Sequence, residues 1–493
     1  MKNIQLVAFV FLFLTSCGIQ KRSFDTPELG LELNEDYLTG KEDSLFKNTE
    51  PVIAWWQGFK DPILDSLILK ARSNNLDINA AIANFYASRA GLKSTKFDRF
   101  PTVDANGSFI RQRLGENVFV PGTNPTYNQY NGGFDAFWEL DLFGRVTNRI
   151  RGVKAKEQAS LADMRSIYLS IFAEVARNYI ELRGTQNQLK IAKENLASQQ
   201  ETFELTTRLT NAGTSNSLDV SRAKAQLEST RATIPPLNAS ITAIINRISV
   251  LVGKTPGTLT NELEIEQPIP SLPGTILAGN ASDFLRRRPD IFKAEAILAQ
   301  QIARYNISVA DLYPKIAFGG GIGYSAIDID NFGSKPSFNW NLTPTINWAA
   351  FNLGRVKKNI DQQDAFTLAL VNQYEKTVLS ALEEIKTTMN NYALELERQI
   401  MLKEAAKASA EAATYAKQRF EAGLDDFLDY LNAERTLLLA QNELAVSQTL
   451  SATNLISVYK ALGGGWQIIN KEEVDNKFQQ LKIQDISKTN KSN

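Results

Sequence analysis

The chain repeats itself. Asn75-Leu76-Asp77-Ile78 recurs as Arg288-Pro289-Asp290-Ile291 at an offset of 213, and Pro101 recurs as Pro314. Leu140-Asp141-Leu142-Phe143-Gly144-Arg145-Val146 then aligns with Ala350-Phe351-Asn352-Leu353-Gly354-Arg355-Val356 at an offset of 210. That offset holds for Gly213/Gly423, Leu218/Leu428, Asp219/Asp429, Ala223/Ala433, Leu227/Leu437 and Gly253/Gly463. One three-residue difference inside the first hairpin accounts for the change. A repeat on this scale means two copies of one structural unit, so whatever one copy forms, the chain forms twice.

Within each copy the hydrophobic period switches. Residues 63–98 and 283–312 read as helix. Alternation then takes over: across Phe134–Leu142 the even positions are apolar and all the odd ones but Phe137 are acidic. Trp340, Leu342, Pro344, Ile346 and Trp348 likewise alternate with Asn339, Asn341, Thr343, Thr345 and Asn347. A period of two predicts strands with one apolar and one polar face. With 102–113 and 315–327 as hairpin partners, the chain supplies four strands. Aromatics such as Phe109, Tyr130, Trp138, Tyr324, Trp340 and Trp348 crowd them, as in the girdles of membrane barrels.

After each hairpin comes a very long helical pattern, 146–211 and 357–421, free of proline. At ~1.5 Å per residue each helix is on the order of 100 Å long. Val371, Val378, Leu382, Ile385, Met389, Tyr392 and Leu396 form a coiled-coil seam, with Glu375 its one polar member. Turns at Gly213 and Gly423 suit helix C-caps. Return helices follow over 216–253, with a break expected at Pro235-Pro236, and over 425–462 unbroken. The polar tail beyond Trp466 lacks periodicity and is expected to be unstructured. The organisation reads as 1–16 signal peptide, 17–62 anchored N-terminal segment, 63–266 first copy, 267–282 linker, 283–466 second copy and 467–493 tail.

The N-terminus carries an address. Lys2 precedes Ile4–Leu14, a mostly apolar core too short to span a bilayer, which takes roughly 20 residues. The core ends in Leu14-Thr15-Ser16-Cys17, which looks like a bacterial lipobox, with Cys17 as the lipid-bearing residue. Gly18 is not the Asp of the usual inner-membrane retention signal. No later stretch approaches 18 apolar residues, so any further crossing requires a closed β-barrel.

Composition excludes much else. There is no His, the commonest general base and metal ligand, and Cys17 is the only Cys. Lys+Arg and Asp+Glu balance at 54 each, so no basic face is advertised for nucleic acid. Gly253-Lys254-Thr255 is not a phosphate loop, because Ile248 stands where the motif wants Gly. Glu383-Glu384 and Asp425-Asp426 are adjacent and do not face each other on a helix. Gly319-Gly320-Gly321 is expected to ease strand curvature, and Gly463-Gly464-Gly465 to end a helix. Arg145 and Arg355 are expected to bond carbonyls or carboxylates at the strand-to-helix junctions. No enzyme and no cofactor is expected.

Four strands cannot close a barrel, since membrane barrels have at least about eight. Several chains must contribute, each bringing its long helical hairpins. The expected fold is therefore mixed and mainly α, an internally duplicated protomer of an oligomeric tube. One alternative is a non-conducting trimeric coiled-coil spacer of the envelope, which has no need of two matched hairpins.

At this point the sequence resembles the TolC-type outer-membrane efflux proteins, especially their lipoprotein, NodT-like branch. The segments that carry the resemblance are Trp55-Trp56 with Phe59, Asp61-Pro62 and Leu64; Glu139–Arg145; Arg288–Ile291; Leu312-Tyr313-Pro314; and Tyr459–Trp466. They span essentially the whole mature chain in order. The resemblance implies a homotrimer with a twelve-stranded barrel in the outer-membrane lipid and a periplasmic helical tunnel. It also implies a periplasmic adaptor and an inner-membrane pump as partners, and small amphiphilic compounds as cargo. The same conduit could serve metal ions or secreted polypeptides. The family's periplasmic gate maps onto Asp429, Asn432, Phe420 and Asp425, and the adaptor contact onto the turns at Gly213 and Gly423. Asn432 departs from the commoner Asp and leaves one acidic ring. Phe420 cannot donate a hydrogen bond, and Asp425 stands at the usual basic place, so the family's standard latch is not expected here.

Overall fold

The computed structural model describes residues 21–23, 45–47, 53–115, 117, 124–274, 276–277 and 285–489. The expected signal peptide and the anchor at Cys17 lie outside them. In chain order the elements are β1 (Phe46–Lys47), α1 (Pro62–Asn74), α2 (Leu76–Lys96), β2 (Thr102–Arg113), β3 (Thr126–Leu140), α3 (Arg145–Asn211) and α4 (Ser217–Leu251). They continue with α5 (Thr260–Leu263), β4 (Ile276–Leu277), α6 (Pro289–Ala310), β5 (Lys315–Ala326), β6 (Phe338–Asn347), α7 (Leu353–Glu421), α8 (Phe427–Ala461) and α9 (Lys471–Thr489). None of the described helices is long and apolar enough to cross a membrane.

The chain divides into two units. The first comprises residues 1–29, 85–160 and 293–375 and holds the four-stranded antiparallel sheet, ordered β2-β3-β5-β6. Its helical segments pack in small clusters, Leu92 with Val146 and Ile150, and Tyr305, Val309 and Leu312 with Ile360. Gly152 lies against this unit's Ala303, whose Cβ would be 3.2 Å from an added one.

The second unit, residues 30–84, 161–292 and 376–493, is a set of paired helices. Its ends are built twice on one plan. Asn75 Nδ2 donates to the Leu251 carbonyl at 2.9 Å, and Arg288 Nη1 donates to the Ala461 carbonyl at 2.8 Å. Each return helix then stops at a glycine with positive φ, Gly253 at 70° and Gly463 at 71°. A Cβ on Gly253 would lie 2.3 Å from the Asn74 carbonyl oxygen, so the close approach of the two chain segments requires glycine. Aromatic packing anchors the rest: Trp55, Trp56 and Phe59 are buried beside Tyr459 and Phe172.

Three sequence expectations need correction. The helix expected over 63–98 is two helices. Asn75 is extended, and its side-chain oxygen accepts from the Asp77 and Ile78 N–H groups, capping α2. The return helix does not break at Pro235-Pro236, because α4 runs through both. The prolines fall on an exposed stretch, so the carbonyls they leave unbonded can face solvent. Buried Leu227 and Thr230 before them, and Ile241 and Ile245 after them, hold the helix on line. Thirdly, the tail is not unstructured: α9 is docked on α1 in the second unit. Arg72 forms a bidentate pair with Glu473, Lys477 donates to the Ser73 carbonyl, and Val474 is buried. A sequence pattern cannot report contacts made across 400 residues.

Candidate functional site

Two surfaces carry the chemistry, one in each unit. In the sheet, cross-strand registration sorts the side chains. Asp104 pairs with Asp135, Ser108 with Asn131, Gly321 with Asn341 and Gly319 with Thr343, giving one polar face. Ala105 pairs with Phe134, Phe134 with Ile322, Ile322 with Trp340 and Ile316 with Ile346, giving an apolar face. Period-two alternation makes this separation automatic. Trp340 and Ile346 remain 69% and 73% exposed, so the apolar face is uncovered among the described residues. In water such a surface is a liability; in lipid it is a wall.

Aromatic residues bound the apolar face at both ends. At the helix-proximal end Trp138 Nε1 donates to the Arg99 carbonyl at 3.0 Å. Its counterpart in the second copy, Trp348, donates to the Leu312 carbonyl at 2.9 Å. At the other end Tyr324 meets Phe332 and Phe338 edge-on, with ring centroids 6.2 and 5.8 Å apart. Edge strands β2 and β6 have no partner on their outer sides among the described residues.

At the junction below the sheet, Arg145 forms a bidentate pair with Glu139, and Asp141 accepts the Val146 and Thr147 N–H groups at the start of α3. The expected carboxylate partner of Arg145 is present. Arg355, its counterpart, is exposed and makes no such bond among the described residues.

The second surface is the pair of turns joining α3 to α4 and α7 to α8. Both are Schellman closures. Gly213 has φ 79° and Gly423 φ 71°; the Thr214 N–H reaches the Leu209 carbonyl, and the Leu424 N–H the Arg419 carbonyl, each at 2.9 Å. The copies differ in charge just beyond. In the first, Asp219 lies 3.5 Å from Arg222, one turn on, and accepts from Ser215. In the second, Asp429 stands at the equivalent place, and Asn432 replaces the arginine. Asp429 and Asn432 are both exposed on one stripe of α8, and Asp429 has no cation within ion-pair distance among the described residues.

The latch residues rearrange as well. Phe420 is buried, stacked on Tyr430 at 5.9 Å and packed with Phe427 and Leu431. Thr202 and Tyr430 hydroxyls meet at 3.0 Å. Asp425 does form an ion pair that was not expected, as the acidic partner: Arg419 donates to both its oxygens across the Gly423 turn. That bond holds the Asp425 carboxyl below, and raises the Arg419 guanidinium above, their usual ranges. Sequence reasoning missed Arg419, and it missed Glu434, which is buried on α8 close to Lys417. Among the described residues no three His, Cys, Asp or Glu gather to hold a metal ion.

Comparison with known proteins agrees with this architecture. The model of a family described as outer membrane efflux protein matches residues 67–254 and 280–464, one block for each copy. A probable efflux pump outer membrane protein, TtgC of Pseudomonas putida, is 32% identical over 84% of this chain and 85% of its own length. Nodulation protein T of Rhizobium leguminosarum bv. trifolii is 27% identical over 94% of this chain and 97% of its own length. The solved structure of the outer-membrane channel OprN superposes with a TM-score of 0.85 at 33% identity, covering 91% of this chain and 99% of that one. The chain belongs to the outer membrane efflux protein family, as an outer-membrane channel component of an efflux system.

Proposed function

We propose that three copies of this chain join β2 to β6 between protomers and close a twelve-stranded barrel. It passes small amphiphilic compounds from a periplasmic adaptor and an inner-membrane pump to the exterior. The observation that carries this reading is the four-stranded sheet with two open edges, an uncovered apolar face and a polar face. Unpaired edges are not tolerated in lipid, so the sheet needs copies of itself. Relatives named for the efflux of antibiotics, toluene and solvents support the cargo class. The turns at Gly213 and Gly423 are the surfaces offered to the adaptor.

Asp429 is the gate residue in this proposal, its carboxylates from three protomers forming one ring near the axis. Asn432 adds no charge, Phe420 is held in the aromatic cluster, and Asp425 is engaged by Arg419. In planar bilayers the wild type is expected to show a low-conductance resting channel. Asp429→Ala with Asn432→Ala is expected to raise conductance several-fold, and divalent cations to block the wild type better. Equal conductance in both proteins would move the gate elsewhere, and insertion without current in either would leave a non-conducting spacer as the better account.

Cys17 is proposed to carry the lipid anchor, on the strength of the Leu14-Thr15-Ser16-Cys17 sequence. Cells fed labelled palmitate are expected to mark the wild type and not Cys17→Ser. Equal labelling of both would refute the anchor.

A further inference from the structure

The polar face of the sheet is unequal in charge. Along its four strands it carries Asp104, Asp135, Glu139 and a single basic residue, Lys315. Two of these are already answered: Glu139 is taken by Arg145, and Lys315 lies 2.9 Å from Asp311. Asp104 and Asp135 remain, both exposed and without a cation at ion-pair distance among the described residues. They are direct cross-strand partners. Like charges placed opposite each other destabilise a sheet, so folding alone gives no reason for the pair.

The neighbouring strand makes room for it. A Cβ added at Gly321 would lie 2.5 Å from Asp135 Oδ1 and 3.4 Å from Asn341 Oδ1. The Asp135 carboxylate therefore leans across β5 over a glycine, with Asn341 beyond it on β6. Asn106 Nδ2 donates to the other Asp135 oxygen from β2. All four strands thus contribute to one polar band, in which the carboxylates of Asp104 and Asp135 are the charges without an ion-pair partner among the described residues.

We propose that Asp104 and Asp135 set the charge preference of the conduit, making the barrel segment favour cations over anions. This rests on the reading that the polar face lines the lumen. A narrow passage with low-dielectric walls focuses the field of fixed charges, so an uncompensated band acts on every permeating ion. The effect is on permeation and requires no bound ion. Anionic cargo would cross this band at a disadvantage relative to neutral or cationic cargo.

The test is the reversal potential of single channels under a potassium chloride gradient. It uses the full chain with Asp429→Ala and Asn432→Ala, so that the ring at the turns does not contribute. The potassium-to-chloride permeability ratio is expected to exceed one. Asp104→Asn with Asp135→Asn is expected to lower it about three-fold toward one, and each single substitution by part of that. With both aspartates in place, raising the salt from 0.1 to 1 M should also bring the ratio toward one, because screening shortens from about 10 to 3 Å. That second measurement stands even if the double variant fails to insert. Channels that conduct with an unchanged ratio, or a ratio insensitive to salt, overturn the assignment while leaving the conduit intact. Inserted protein that passes no current overturns the conduit reading and the assignment with it.

Discussion

Trp55→Ala is expected to cost about 3–5 kcal/mol of stability, the usual range for emptying a large aromatic site in a core. Trp55 is 1% exposed. It stacks on Tyr459 at 5.2 Å with the rings 14° apart, and it meets Trp56 and Phe59 edge-on. Its indole N–H donates to the Gly464 carbonyl at 3.2 Å. Gly465, with φ 117°, passes so close that an added Cβ would lie 3.1 Å from the indole nitrogen. The ring thus joins the segment before α1 to the end of α8, and neither side can move in to fill the space. Loss of helical circular dichroism on heating in detergent measures the effect. Trp466→Ala, at a partly buried position, is the comparison. A melting temperature for Trp55→Ala within a degree or two of the wild type would show that the knot contributes little.

Glu434→Gln is expected to stabilise the protein above neutral pH and to change little in acid. Glu434 is 6% exposed, and burial pushes its carboxyl up to about 7, with Lys417 pulling the other way. Lys417 itself lies 4.0 Å from Glu201 on α3, so its charge is shared. Tyr430, one turn away on α8, has its hydroxyl raised above the ordinary range by burial, so it stays protonated throughout. The unfolded carboxyl titrates near 4.5, so the folded chain holds the proton more tightly. The contribution to stability is therefore complete below about 4.5 and is lost as the pH rises through about 7. A shift of that size corresponds to roughly 3 kcal/mol. Glutamine keeps the shape and cannot ionise. Its melting temperature should exceed the wild type's at pH 8 and match it near pH 4.5. A difference between the two proteins that is the same at both pH values would sink the account.

Much of the fold was legible because its signals are local and strong. The alternation around Asp135 and Asn341 marked the strands, and β2 spans Thr102–Arg113 as the pattern predicts. The helices of 67 and 69 residues were visible as unbroken patterning. Residues 126–133 gave less warning, because Thr126–Gly133 shows no apolar–polar alternation, with Tyr127 and Tyr130 falling on opposite faces. That stretch is a strand because β2 pairs with it. The prolines of α4 misled for the converse reason: local propensity predicted a break, and packing on either side overrode it. α9 was invisible because Arg72 and Ser73, which hold it, lie at the other end of the chain.

The candidate site divides in the same way. The glycine turns followed from repeat alignment, where each residue could be compared with its counterpart, whereas Asp429 was singled out by the family resemblance. The ion pair of Asp425 required knowing that a Schellman turn at Gly423 brings residue 419 back over residue 425. Glu434 is unremarkable in sequence, since glutamate is common on helices. Only its burial sets it apart, and burial is a property of the assembled packing.

The doubled anchors at Asn75 and Arg288 have a consequence for how such a wall can evolve. In the twelve-stranded assembly proposed above, a half-length chain carrying one hairpin would need six identical staves, and any substitution would then appear at every stave at once. Fusing two copies lowers the symmetry from six-fold to three-fold. Alternate staves become free to specialise while the ends that seat them stay alike. The Asp219–Arg222 pair in one copy, and an Asp429 with no ion-pair partner among the described residues in the other, are what that freedom looks like. In that proposed assembly three staves carry the paired charges and the other three carry the exposed Asp429.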